Sequence, residues 1–262
     1  MTIVAIADGV VAIESTVKAT TAQDLYRMHP VDRDLADDSM IEEAVRLKKR
    51  LQRPLVLLSL APAAFEKEMR VYMAAGCDRA IRVDADLGRC LDPTLRSRLT
   101  AHVLQSQVPD WTIVMVIDRT PGGAAGLMHH HLSESLDAPG FSSVVAVDEA
   151  AAALEVRTRA SGIIRRYRTD RRVVLGISSR VTLHSPSFME VHRARKAPIT
   201  CVDGRSDPAV QLLEDAGGEV LSYGAVKAPR AAGESAVAVH KLDPDATADR
   251  LAELCAPFLP RA

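Results

Sequence analysis

Short apolar runs alternate with amphipathic stretches along most of the chain. Residues 2–7 are a continuous apolar run, the pattern of a strand buried on both faces. Residues 41–48 space their apolar positions as a helix does, acids first and bases last, which complements the helix dipole. Pro54 resets the chain before a second buried strand over 55–60. A helix over 63–75 follows, stopped by Gly76 where a C-terminal cap prefers glycine. The pattern then predicts a strand at 80–83, a helix at 91–107, a strand at 111–117, a helix at 131–136 and a strand at 143–147. Between 154 and 177 two β-like runs flank a polar middle, and 171–177 reads as a strand returning to the sheet.

Buried strands alternating with amphipathic helices define an α/β protein. The expected architecture is a mainly parallel sheet with helices on both faces, a Rossmann-like three-layer fold of the adenine-nucleotide-binding kind with an antiparallel addition. From residue 217 onward Ala, Gly and Pro dominate and periodicity fades, apart from one helix over 246–255. Such a stretch cannot build its own core. The expected organisation is one domain over 1–216 and an extended C-terminal tail over 217–262 that lies on the domain or wraps a partner.

Composition narrows the function classes. Hydrophobic residues make up 47% and charged residues 26%, as in ordinary globular chains, while aromatics are only 3%. The net charge of −1 gives no general attraction to nucleic acid or an anionic membrane. No apolar run reaches the length of a membrane span. Cys77, Cys90, Cys201 and Cys255 lack any C-x-x-C spacing, which argues against a zinc ribbon or redox pair and suits a reducing cytoplasm. Cys77 at a helix end is not placed to be a nucleophile. No G-x-S-x-G occurs, and Ser178-Ser179 lacks a partnered His and Asp.

Two segments carry candidate chemistry. Residues 185–198 set Phe188, Met189 and Val191 beside His192, Arg193, Arg195 and Lys196, bounded by Pro186 and Pro198. An apolar tip on a basic stem suits docking onto an acidic partner; an amphipathic helical turn is the plainer reading. Residues 121–129 place Gly122, Gly123 and Gly126 after a strand, where backbone N–H groups can approach an anion; a flexible turn explains the same residues. His129-His130-His131 fan out on a helix, which argues against a metal site and for a helix-start surface or a phosphate contact, and the acids of 32–38 lack the glycine and terminal glutamate of a calcium loop. The basic run 165–172 reads as a solvated hairpin rather than a nucleic-acid surface.

Five segments in order resemble the β subunit family of electron-transfer flavoproteins. Residues 34–48 are similar to N-P-Y-D-E-x-A-L-E-E-A-L-R-L-K, departing at Asp34, Leu35 and Ala36. Leu58-Ser59-Leu60-Ala61-Pro62 resembles S-x-G-P, and residues 72–81 resemble A-L-A-M-G-A-D-R-A-I. Residues 133–139 resemble A-E-x-L-G-x-P. The 185–198 segment resembles the recognition loop P-R-Y-x-S/T-L-P-N-I-M-K-A-K-K-K, with Phe188 in the protruding leucine position and Arg193, Arg195 and Lys196 in lysine positions.

The resemblance implies an electron carrier rather than an enzyme with acid–base machinery. It implies pairing with an α subunit that holds most of a redox-active FAD. Docking on a flavin-containing dehydrogenase and delivery to a membrane-bound quinone oxidoreductase follow from the same likeness. It also implies an AMP, or a second FAD, near Ala5, Asp34, Asp37, Leu60 and Ala61 and the loop Gly122, Gly123, Ala124, Ala125 and Gly126 with His129. That loop departs from the family's D-G-D-T-x-Q-V-G: Gly123 keeps the glycine, while Gly122, Ala124, Ala125, Leu127 and His129 replace Asp, Asp, Thr, Gln and Gly. Each lost side-chain hydrogen bond is worth about 0.5–1.5 kcal/mol, so the site is backbone-dominated, rebuilt with the histidines, or absent. Two other readings stand beside this one: a stand-alone adenine-nucleotide module of the universal-stress type, and a structural subunit that has lost its nucleotide.

Overall fold

The structure is a computed structural model, and it describes residues 1–11, 31–85, 93–118, 127–150, 153–178 and 181–204. The strands are β1 (Thr2–Ile6), β2 (Val10–Val11), β3 (Val31–Asp32), β4 (Leu55–Ser59), β5 (Arg79–Asp84), β6 (Trp111–Ile117), β7 (Gly140–Ala150), β8 (Ala153–Ala160), β9 (Ile163–Thr169), β10 (Val173–Ile177) and β11 (Ile199–Asp203). The described helices are α1 (Leu35–Leu51), α2 (Glu66–Ala75), α3 (Pro93–Gln107), α4 (Met128–Ser135) and α5 (Phe188–Lys196), with a 3-10 turn at Ala63–Phe65.

One nine-stranded sheet runs β11-β5-β4-β1-β6-β10-β7-β8-β9. The pairings from β11 to β7 are parallel, and β7–β8 and β8–β9 are antiparallel. The architecture is therefore the expected α/β fold with its antiparallel addition. Burial on both faces shows in β1: Ile3 and Ala5 join a core with Met40, Ile41, Val45 and Met69 of α1 and α2. Val4 and Ile6 join a second core with Leu99, Val103 and Leu104 of α3 and Leu132 of α4.

Local signals explain where the helices begin and end. Asp34 caps α1, its side chain accepting from the Ala36 N–H at 3.1 Å. Asp37 and Asp38 occupy the first turn and Lys48, Lys49 and Arg50 the last, as the dipole prefers. Gly76 closes α2 at φ 135, where a Cβ would press on Val45.

Three features differ from the sequence reading. Helix α4 starts at Met128, not at 131, because His129 faces inward together with Leu132. Strand β7 extends to 140–150, since its second half pairs with β8 across 144–150. The edge strand β11 and the small β2–β3 pair had no sequence signal beyond a few β-branched residues, each being short and partly polar. The segment 185–198, for which a bounded surface stretch and an amphipathic helical turn both stood, is a helix from Phe188. The predicted tail over 217–262 and the helix over 246–255 lie outside the described residues. No helix among the described residues is long and apolar enough to cross a membrane.

Candidate functional site: a strand-end crevice and a basic helix

After β5 the chain crosses back to place β6 on the other side of β1. The sheet order thus reverses between β1 and β6, and in open α/β sheets ligands bind outside the carboxyl ends of the strands at that point. Here those ends are held together by acids. Asp8, just past β1, accepts from the Leu60 N–H at 2.5 Å and from the Ser59 hydroxyl at 3.2 Å, and its other oxygen pairs with Arg96 of α3. Asp37, in the first turn of α1, accepts the N–H groups of Asp8 at 3.2 Å and Gly9 at 2.9 Å. Gly9 adopts φ 66, and an added Cβ would strike the Asp32 carbonyl and the Phe65 ring, so only glycine fits. Burial pushes the Asp37 carboxyl up to about 7; Asp8 and Asp34 add to the rise, while the Gly9 N–H and Arg96 oppose it.

The neighbouring strand end, past β6 and β10, forms a second polar knot. Asp118 donates its N–H to the Ile177 carbonyl at 3.0 Å and accepts from the Ser143 hydroxyl at 2.9 Å. The buried His129 ring places Nε2 at 2.6 Å from the Ser142 hydroxyl and lies tilted against the His130 ring, with centroids 3.9 Å apart. Burial lowers its pKa, and the neighbouring His130 adds to this against the pull of Asp118. Gly176 leaves room for the ring: a Cβ there would lie 3.1 Å from His129 Nδ1 and 2.9 Å from Asp118.

Of the nucleotide-site residues expected from sequence, Ala5, Asp34, Asp37, Leu60, Ala61 and His129 each have a definite place. Ala5, Leu60 and Ala61 are buried and can offer a ligand only backbone groups, and the Leu60 N–H is already taken by Asp8. Asp34 caps a helix, Asp37 braces a turn, and His129 packs under β10. Residues Gly122, Gly123, Ala124, Ala125 and Gly126 lie outside the described residues. Sequence reasoning missed Asp8, Arg96 and Asp118. An acid directly after the first strand was a usable signal for Asp8, whereas nothing local marked Arg96.

Helix α5 gathers the other set. Ser187 caps it, its hydroxyl accepting from the Glu190 N–H, while the Glu190 carboxylate accepts from the Ser187 N–H at 2.7 Å, a capping box. Phe188 and Met189 are 81% and 64% exposed. Arg193, Arg195 and Lys196 fill the exposed last turn, while Val191 is half-buried against the core and Ala194 is buried. So Val191 anchors the helix and Phe188 and Met189 project from it. Arg70 of α2 donates to the carbonyls of Ala194, Arg195 and Ala197 at 3.1, 3.3 and 2.8 Å, fixing the C-terminal end. The lead-in is tied to α1: Ser39 donates to the Val181 carbonyl at 2.7 Å, and Glu42 accepts from His184 N–H at 3.1 Å and meets its Nδ1 at 2.7 Å. Burial alone would raise the Glu42 carboxyl, but the His184 and Arg46 contacts outweigh it and hold the group below its ordinary value.

A doubly wound α/β domain whose strand order reverses between β1 and β6 has the architecture of the nucleotide-binding-type folds. A model of the electron transfer flavoprotein domain family matches residues 27–205. An electron transfer flavoprotein subunit beta from Bacillus subtilis (strain 168) is 23% identical over 168 residues, covering 62% of this chain and 63% of the relative. Another, from Methylophilus methylotrophus, is 30% identical over 76 residues, covering 28% of this chain and 29% of that protein. The chain therefore spans less than two thirds of the length of these curated relatives. It belongs to the electron transfer flavoprotein domain family, and both of these relatives carry the name of the beta subunit.

Proposed function

We propose that this chain is the β-type subunit of an electron transfer flavoprotein. It pairs with an α-type subunit that holds FAD, receives a dehydrogenase on α5, and passes electrons toward a quinone-linked respiratory acceptor in the cytoplasm. The observation that carries the docking role is α5 itself. Two large apolar side chains stand in solvent on a helix whose cap, C-terminus and lead-in are all fixed. Exposed apolar anchors on a pre-ordered element, with cations beside them, suit a transient acidic partner. The chain's own part in electron transfer is to hold the donor near the partner's flavin; the flavin supplies the redox chemistry.

The described part of the crevice does not suit a phosphate-bearing nucleotide. Its side chains are mostly carboxylates, Asp8, Asp34 and Asp37, and Arg96, which could meet a phosphate, is paired with Asp8. That favours a β-type subunit whose own nucleotide site is closed at β1, with the partner's flavin as the carrier.

Co-production with the α-type subunit of the same genome tests the reading. A stable complex with an oxidised-flavin absorbance spectrum is expected; a colourless homodimer would favour the universal-stress alternative. In the complex, Phe188→Asp is expected to raise the KM for the donor dehydrogenase about tenfold or more, with the flavin spectrum unchanged. Donor-driven flavin reduction at the wild-type KM would remove α5 from the docking role.

A further inference from the structure

Among the described residues, the β8–β9 ribbon carries three of the large hydrophobic side chains that stand exposed away from α5. Ile163 and Ile164 are 57% and 54% exposed, and Tyr167 is 39% exposed. Ser161 and Gly162 take left-handed conformations, φ 49 and 79, and make the two-residue turn that puts the isoleucines at the tip. Successive strand residues point to opposite faces, so Ile163 and Ile164 cover both sides of the ribbon.

Charge surrounds this tip. Residues 157–172 hold seven arginines against one aspartate, a net +6 in a chain whose total is −1. Arg157 is tied to Asp148 at 2.6 Å, and Arg172 donates to the Pro109 carbonyl at 3.0 Å while stacking over Trp111. Arg159, Arg165 and Arg166 are exposed. The sheet ends at β9, so the outer backbone edge of this strand pairs with no strand among the described residues.

We propose that the β8–β9 ribbon is the seat of the α-type subunit, through an apolar slot of that subunit rimmed by carboxylates and an extended segment that adds to the edge of β9. This rests on the reading of the chain as a β-type subunit. A slot contacts both isoleucines at once, whereas a flat lipid surface reaches one face. An extended segment satisfies the backbone groups of the edge, which lipid leaves unpaired. Nucleic acid would use the arginines and leave Ile163, Ile164 and Tyr167 in water. The arginines steer and orient an acidic partner, and they keep the edge from pairing with another copy of itself.

The test uses the full chain co-produced with the α-type subunit, with affinity measured between the separately purified subunits. The double variant Ile163→Asp/Ile164→Asp is expected to weaken pairing about a hundredfold or more. The isolated variant keeps the wild-type melting temperature, because both side chains are solvent-exposed. Arg165→Glu/Arg166→Glu is expected to slow association at low salt and to flatten its salt dependence. Undiminished pairing of the isoleucine variant overturns the proposal. So does a result in which the substitutions abolish binding to phosphatidylglycerol vesicles, or self-association, while subunit pairing stays as in the wild type. If the wild-type chain itself does not pair with the α-type subunit, the functional reading falls and this seat with it. If the wild type pairs and the variant pairs equally well, only the seat falls.

Discussion

The strand-end crevice and helix α5 treat their polar groups in opposite ways. At the strand ends Asp8 pairs with Arg96 and accepts from the Leu60 N–H, while Asp37 accepts from the N–H groups of Asp8 and Gly9, so these carboxylates serve the protein's own loops. At α5 the anchoring polar groups, Arg70, Glu42, Ser39 and Ser187, work on the buried side and at the ends, leaving Phe188 and Met189 in water. Satisfied polar networks at a ligand position argue for structure; unsatisfied apolar surface on a fixed element argues for contact. On the proposed reading the contact surface lies on the flank of this domain rather than at the switch point where α/β folds usually place a ligand.

The sharpest way to break the comparison is Asp8→Ala. The substitution removes the acceptor for the Leu60 N–H and the Ser59 hydroxyl and leaves Arg96 without this partner. A loss of about 2–4 kcal/mol in the free energy of urea unfolding is expected from a stranded donor and a partly buried cation. Phe188→Asp serves as the contrast, with a change within about 0.5 kcal/mol, because the side chain is mostly in solvent. Equal stability of the two variants would mean that the crevice is not closed by Asp8.

A smaller effect separates the crevice acids by pH. The Asp37 carboxyl lies at about 7 in the folded chain against an ordinary 3.8, so the folded state binds its proton more tightly than the unfolded state. Its contribution is present at low pH and is lost as pH rises through about 7. Asp37→Asn cannot titrate and still offers a carbonyl acceptor to Gly9. The stability of the variant relative to wild type is therefore expected to increase between pH 5 and pH 8 by roughly 1–3 kcal/mol, on the scale of about 1.4 kcal/mol per pH unit. Parallel pH curves for the two proteins would show that Asp37 is ionised and well solvated, and that the crevice is open.

Legibility from sequence followed the range of the interactions. Helix α1 could be read because its periodicity, Asp34 cap and end charges are all local, and β1, β4 and β6 could be read because two-sided burial leaves continuous apolar runs. Helix α5 was one of two readings: its capping box is present as Ser187-x-x-Glu190, while the flanking prolines suit a bounded surface stretch as well. The Asp8 junction was hidden because its partners lie 51 to 88 residues away, and no pattern ties one acid to a given serine and arginine. His129 looked like a ligand because histidines at a helix start commonly face an anion. Its burial depends on Gly176, whose missing side chain makes the space, a pairing across 47 positions that only the fold reveals.

The finest distinction concerns what holds α5 in place. His184 meets the buried Glu42 with both its N–H and its ring, which makes the lead-in to α5 a strap across α1. His184→Ala keeps the backbone N–H contact and removes the ring contact, at a cost of about 1 kcal/mol. Glu42 has a depressed carboxyl, so its contribution is present above its ordinary 4.5 and is lost as pH falls through the folded value. Without the ring of His184 that depression shrinks, so the acid-side loss of stability becomes smaller and is complete at a higher pH. The local readout is amide hydrogen exchange: protection across 188–196 is expected to fall while that of β1, β4 and β6 stays as in wild type. Unchanged protection in α5 would mean that Arg70 and the Ser187 cap suffice to hold the helix, and that the strap contributes stability to α1 alone.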